Sequence, residues 1–508
     1  MGRGFFTVGV WTLLSRILGF LRDALIVAYL GTGPAYQAFI VAFSLPNMFR
    51  RFFAEGAFNM AFVPMFSKKV EGQEDAQDFA RDAMTALALI LLALTLAASI
   101  FMPYLVLAMA SGFSGQEQFD LSVSFGRIAF PYIFFISLAA LLSGVLNATG
   151  RFGAAAAAPV LLNILFIGAI LLAAQMGWPI GPSLIWAIPV AGLAQMLLVW
   201  IAARRAGFTL LPRWPRWTPD LRRLAVIAAP AALAGGVVQV NLLVGRQVAS
   251  YFDRAVSWLY TADRLYQLPL GVVGIAIGIV LLPELSRRLK ARDSDAAQNA
   301  LSRAGEISLA LTIPAAVALL VIPAALVSVL FERGLFTGAD TQATAVAVAI
   351  YGLGLPAFVL QKVFQPLFFA REDTRRPFHY AVVAMVVNAG LALGLAPYIG
   401  WTAAAIATSG AGWVMVVLLW LGSRGFGQDA RFDARFKHRL PRIIAASALM
   451  GGCLWVMAVV LDGWLATPGL RYVALTVLVA AGGASYALFG QLLGAFRLRE
   501  LLGGLRRS

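Results

Sequence analysis

Apolar stretches of roughly 20 residues, each long enough to cross a bilayer as helix, follow one another along nearly the whole chain. No other feature narrows the fold as much. A bilayer core offers the backbone no water, so a spanning segment must satisfy its own N–H and C=O groups, as a helix or in a closed barrel. A barrel would show segments of about ten residues with alternating polarity, and the sequence has none. The chain therefore reads as an all-α integral membrane protein. Composition agrees: 60% of the 508 residues are hydrophobic and 13% charged, where a soluble domain carries about 25% charge. The apolar runs predict fourteen spans, near 5–31, 36–67, 83–111, 121–148, 154–176, 182–203, 224–250, 255–286, 304–331, 341–370, 377–396, 401–423, 443–462 and 470–494.

The formal net charge of +16 could suggest a nucleic-acid partner, but its distribution points elsewhere. Most of the 40 Lys and Arg lie in the termini and in the loops after even-numbered spans, including "RRAGFTLLPRWPRWTPDLRR" and "RGFGQDARFDARFKHRLPR". Loops after odd-numbered spans hold Arg254, Arg333 and Arg471. By the positive-inside rule both termini are cytoplasmic. The basic excess is a topology signal, with contact to anionic membrane lipids as a second role, and no nucleic acid is expected. Arg16 and Arg22 interrupt the first apolar run, and no small-residue cleavage site follows, which argues for a retained first span rather than a removable leader.

Catalytic and metal chemistry have little to work with. Cys453 is the single cysteine and His379 and His438 are the two histidines. No thiolate metal site, His-based triad or cofactor motif is expected.

The chain repeats itself. "FVPMFSKKV" at 62–70 resembles "LLPELSRRL" at 281–289. Pro131 pairs with Pro356, Thr149 with Thr374, Arg151 with Arg376 and Asn163 with Asn388, all at one spacing, and Pro103 pairs with Pro323 at nearly the same one. Six spans separate equivalent positions, so both copies keep one orientation. Two like-oriented six-helix lobes, related by an axis along the membrane normal, are a transporter architecture with its site between the lobes. The expected divisions are 1–206 and 207–426 for the lobes and 427–508 for two extra helices.

Several cations remain inside spans: Arg16, Arg22, Arg50, Arg51, Arg127, Arg246, Arg264 and Lys362. At about 1.5 Å per residue, Arg16, Arg50 or Arg51, and Arg264 fall near mid-membrane. A central charge facing lipid costs roughly 2.5–3.5 kcal/mol on insertion scales. Snorkelling to the interface remains open for Arg127, Lys362 and Arg246. Glu55 can pair with Arg51 one turn away, whereas Asp23 beside Arg22 points about 100° around the helix and is not expected to pair with it. With Asp23, Glu55 and Asp263 as the deep acids, a positive surplus remains. It suits an anion, since guanidinium forks match phosphate oxygens and stay charged. Arg50 and Arg51 are alternatives for the cavity-facing position.

"SRILGFLRDALIVAYLG", "FSLPNMFRRFFAEGAFNMAFVPMF", "YTADRLYQLPLGVVGIAIGIVLLPELS" and "FFAREDTRRP" together resemble the MurJ (MviN) lipid II flippases, of the superfamily of multidrug and polysaccharide exporters. The resemblance implies movement of lipid II, an undecaprenyl-diphosphate-linked disaccharide-pentapeptide, from the cytoplasmic to the periplasmic leaflet of the bacterial inner membrane, without enzymatic chemistry. It implies diphosphate binding by Arg16, Arg22, Arg50 and Arg264, and cavity or gate roles for Arg51, Glu55, Asp263 and Arg246. Spans 13 and 14 would form a groove for the lipid tail, and other cell-wall synthesis proteins are further candidate partners. Two departures stand out. Gln37 and Gln267 occupy positions where relatives often carry an acid, which makes the cavity more positive. Span 11, "FHYAVVAMVVNAGLALGLAP", has no acid to hold sodium, so the membrane potential is the expected energy source. A flippase for another polyprenyl-linked sugar and a drug or cation antiporter remain the alternatives. The acid deficit argues against the antiporter.

Overall fold

The computed structural model describes residues 2–50, 57–72, 75–211 and 213–496. Arg51 and Glu55 lie outside the described residues. The chain runs through α1 (Gly2–Leu30), α2 (Pro34–Arg50), α3 (Ala57–Glu71), α4 (Ala76–Ile100), α5 (Met102–Ala110) and α6 (Glu117–Ala129). It continues through α7 (Tyr132–Ala148), α8 (Gly153–Met176), α9 (Ile180–Arg205), α10 (Pro219–Ala249), α11 (Ala255–Lys290), α12 (Ser294–Val321) and α13 (Pro323–Phe331). It ends with α14 (Gly338–Phe369), α15 (Arg375–Ile399), α16 (Thr402–Ser423), α17 (Ala434–Val460), α18 (Asp462–Ala466) and α19 (Leu470–Leu492). Among the described residues there is no strand, and ten helical segments are long and apolar enough to cross a membrane. The protein is an all-α, multi-pass membrane protein.

Among the expected spans that resolve into helix pairs, two share one cause. Span 3 becomes α4 and α5, and span 9 becomes α12 and α13. Pro103 and Pro323, paired by the repeat, sit in the first turn of α5 and α13. Proline lacks the N–H that would continue the preceding helix and clashes with the previous turn, but it fits a first turn without loss.

Two compact units gather these helices. The first comprises residues 1–257 with 333–336. In it α1 packs on α8, α8 and α7 on α9, α2 on α6, and α10 on α3 and α5. Its interior holds Phe39, Phe43, Tyr132 and Phe166, with Phe43 and Phe166 centroids 5.6 Å apart. The second comprises 258–332 with 337–508. There α14 and α15 pack on α16, and α12 bridges α14 to α17, which carries α19. Lipid tails are as apolar as leucine, so close packing and polar bonds, not hydrophobic burial, hold such helices together.

Candidate functional site

α1 carries two of the expected arginines, six residues apart. At 3.6 residues per turn they point about 120° apart around the helix, so a single neighbour cannot receive both. Ser15 lies on nearly the same face as Arg22, and this is the face that packs on α8.

Arg22 is buried. Its Nε and Nη2 donate to Asp23 Oδ1 at 2.9 and 2.6 Å, and its Nη1 donates to Asn163 Oδ1 at 2.9 Å. Asn163, on α8, donates from Nδ2 to the Ser15 carbonyl at 2.9 Å. The guanidinium also lies 5.6 Å from the centre of the Phe166 ring. The expectation that Arg22 and Asp23 do not pair is thus corrected. The two Cβ atoms do diverge, but the arginine is long enough to fold back over its neighbour, and Asn163 holds it there. Neutralised in this way, Arg22 joins α1 to α8.

Arg16 differs. It is half-buried, with no hydrogen bond or ion pair to any described residue. Arg50 closes α2, half-buried, beside Phe49, whose ring meets Phe130 at 5.5 Å. Gln37, also on α2, is 1% exposed, and neither amide atom has a partner among the described residues. Arg246 is half-buried near the end of α10. Arg127 is exposed and donates from Nε to the Ser99 carbonyl at 3.1 Å, and Lys362 is exposed.

The second unit contributes α11. Arg264 donates to the Tyr260 hydroxyl one turn away, its guanidinium 4.4 Å from the centre of that ring. Gln267 donates to Asp263, also one turn away. Tyr266 packs on Tyr351 and Phe358, with ring centres 5.1 and 5.6 Å apart. Gln267 thus works as a donor to the one carboxylate beside it, a role an acid at this position could not fill while ionised.

Sequence reasoning missed a pair of close approaches inside the first unit, at the face of the odd-numbered loops. The 3-10 turn at Ser111–Phe113 meets the end of α10. Gly112 N donates to Ser250 Oγ at 3.0 Å, Ser111 N to Gln247 Oε1 at 2.9 Å, and Gln247 Nε2 to Ser111 Oγ at 2.8 Å. A Cβ on Gly112 would lie 2.5 Å from the Ser250 backbone. Residues 333–336 do the same to α1. Leu335 N donates to the Ala28 carbonyl at 2.9 Å, and a Cβ on Gly334 (φ 58°) would lie 2.2 Å from that oxygen. Each turn follows a proline-started helix, α5 or α13, and clasps a long helix of the first unit, α10 or α1. Ser257 Oγ, donating to the Thr32 carbonyl at 3.1 Å, adds a third tie. The repeat spacing could have found Gly112 and Gly334 together, but each alone reads as an ordinary loop glycine.

The even-numbered side of the first unit is tied by the loop between α9 and α10. Arg213 donates from Nε to Asp82 Oδ1 at 2.7 Å and lies 2.9 Å from Asp78. The hydrogen bonds to Asp82 and then Asp78 push its guanidinium still further above the usual arginine range.

The profile of the family described as "Lipid II flippase MurJ" matches residues 26–474. A Rhizobium meliloti protein named as a probable lipid II flippase MurJ is 45% identical over 95% of this chain and 92% of its own length. The lipid II flippase MurJ of Burkholderia cenocepacia is 34% identical over 96% of each chain. Among solved structures, a lipid II flippase MurJ in an inward closed conformation superposes with a TM-score of 0.81, at 24% identity over 97% of this chain and 99% of the other. An inward-facing multidrug MATE transporter gives 0.64 at 15% identity, over 81% and 94%, which marks a shared fold. The chain belongs to the lipid II flippase MurJ family.

Proposed function

We propose that this protein moves lipid II from the cytoplasmic to the periplasmic leaflet of the bacterial inner membrane, as a transporter and not an enzyme. Membership of the flippase family along nearly the whole chain is the observation that carries this reading. In it fourteen spans form two six-helix lobes, 1–206 and 207–426, around a cavity, with 427–508 guiding the lipid tail and both termini cytoplasmic. Arg16 and Arg264, with Arg50, hold the diphosphate, since forked donors fit phosphate oxygens in pairs.

The physics of the site supports a division of labour among the arginines. Arg22 already has a counter-charge and an amide, so it holds α1 in place while Arg16, on another face, remains available to an anion. The glycine clasp supports alternating access: two close backbone approaches at the odd-loop face hold that side together, and their release would open it. The head group would enter from the even-loop side, bind, and leave when the clasp parts.

The test is depletion of the native protein in its host, with complementation by wild type or Arg16→Ala at matched membrane levels, reading exposure of lipid II at the outer surface. Depletion should end exposure and wild type restore it. Unchanged exposure on full depletion would remove the substrate assignment.

A further inference from the structure

Described residues of the loop between α9 and α10 are tied down beyond what joining two helices requires. Besides the Arg213 bonds to Asp78 and Asp82, Arg213 N donates to Thr85 Oγ1 at 3.1 Å, Gln77 Nε2 to the Thr209 carbonyl at 3.2 Å, and Trp200 Nε1 to the Leu210 carbonyl at 3.2 Å. These ties hold the loop against α4 and α9. Yet the residue they position next, Trp214, is 88% exposed, and Trp217 is 71% exposed. A tryptophan set next to a tethered residue and left almost wholly exposed offers its ring to a partner.

Between the Trp214 ring and α4 runs an open groove of about 440 Å³, walled by Ala88, Leu89, Leu92, Phe134, Trp214 and Pro215. Leu89 and Leu92 are about half exposed, on the outward face of an apolar membrane-spanning helix. At its polar end Arg213 lines the groove and meets Asp78 and Asp82, Arg81 lies 3.8 Å from Asp78, and Arg216 follows three residues along the loop. Both acids are paired with Arg213, and Arg216 is exposed. Arg204, Arg205, Arg222 and Arg223 flank the loop. The rim is therefore net cationic while the walls are apolar.

We infer that this groove is a binding site for one anionic glycerophospholipid, its acyl chain between Trp214 and the α4 leucines and its phosphate at Arg216. The walls continue the lipid-facing surface of α4, which favours a lipid over a protein segment. The rim favours an anionic head group over a zwitterionic one, because each arginine near a charged head group contributes roughly 1 kcal/mol, about fivefold in affinity. The site rests on the membrane-spanning fold alone and stands whatever the chain transports. It differs from a general aromatic belt, in which tryptophans anchor at the interface without choosing a head group.

The test compares Trp214 fluorescence in phosphatidylcholine nanodiscs carrying small fractions of brominated phosphatidylglycerol or brominated phosphatidylcholine. Subtracting the signal of Trp214→Phe isolates the one ring. Brominated phosphatidylglycerol should quench it at about fivefold lower mole fraction, the share of one arginine. Arg216→Gln should erase that preference while leaving quenching by both lipids. Ala88→Phe, which fills the groove from its α4 wall, should abolish selective quenching without touching the charges. Each variant must elute and melt like wild type. Equal quenching by the two lipids in the wild type would overturn the site and leave an unselective anchor, and no quenching by either would place the loop out of contact with lipid.

Discussion

Two turns of α1 carry the same residue type in the same apolar surroundings and are built differently. At Arg22 the chain surrounds the guanidinium with Asp23, Asn163 and the Phe166 ring. At Arg16 it leaves the side chain half-buried, with no hydrogen bond or ion pair to a described residue. Both would be expensive to leave bare in lipid. Depth alone therefore does not assign a role to a membrane arginine. A charge whose partners are built in holds helices together, and one without them is available to something that arrives.

The largest effects should break that contrast. Arg16→Ala should reduce lipid II exposure more than tenfold in the complementation assay while the detergent melting temperature stays within about a degree. Loss of stability instead would make Arg16 structural. Asp23→Asn should do the reverse. Leaving a buried charge unmatched costs about 3–5 kcal/mol, so the variant should melt far below wild type, and Arg22→Met with Asp23→Leu should recover much of that loss.

A smaller effect sharpens the same point. Asn163→Ala removes one bond to Arg22 and two to Ser15. Single polar ties between membrane helices average about 0.6 kcal/mol and reach about 1.7, so a loss near 1–2 kcal/mol is expected, with transport kept if the protein is assayed below its melting point. At the clasp, Gly334→Ala should raise the reactivity of a cysteine placed at Leu335 toward an impermeant thiol reagent, because the added Cβ cannot sit 2.2 Å from the Ala28 carbonyl. The smallest change is expected at Asp82→Asn, which should speed tryptic cutting at Arg213 severalfold and leave melting nearly unchanged.

Much of this was legible in the sequence, and the reasons are physical. Apolar runs report helices because lipid admits little else. Prolines report breaks because they lack a donor, so the spacing of Pro103 and Pro323 within the repeat is enough to match them. The positions of Arg16, Arg50 and Arg264 were likewise visible as charges where charge is costly. What stayed hidden was pairing across distance. Asn163 meets Arg22 from 141 residues away, and nothing in the local pattern around an asparagine tells which guanidinium it will meet. The rule that neighbouring residues on a helix face apart also failed at Arg22 and Asp23, because it describes Cβ directions and not the reach of a long side chain. Gly112 and Gly334 were missed because a close backbone approach leaves no chemical signature beyond the missing side chain.

The division of roles on α1 is tested most directly by binding. Purified wild type, Arg16→Ala and Asn163→Ala would be placed in nanodiscs and titrated with lipid II, reading the dissociation constant. Arg16→Ala should weaken binding at least tenfold in a protein that melts normally, and Asn163→Ala should bind like wild type while melting earlier. Unaltered affinity in Arg16→Ala, with affinity lost in Asn163→Ala, would contradict that division and make Arg22 the residue that holds the diphosphate.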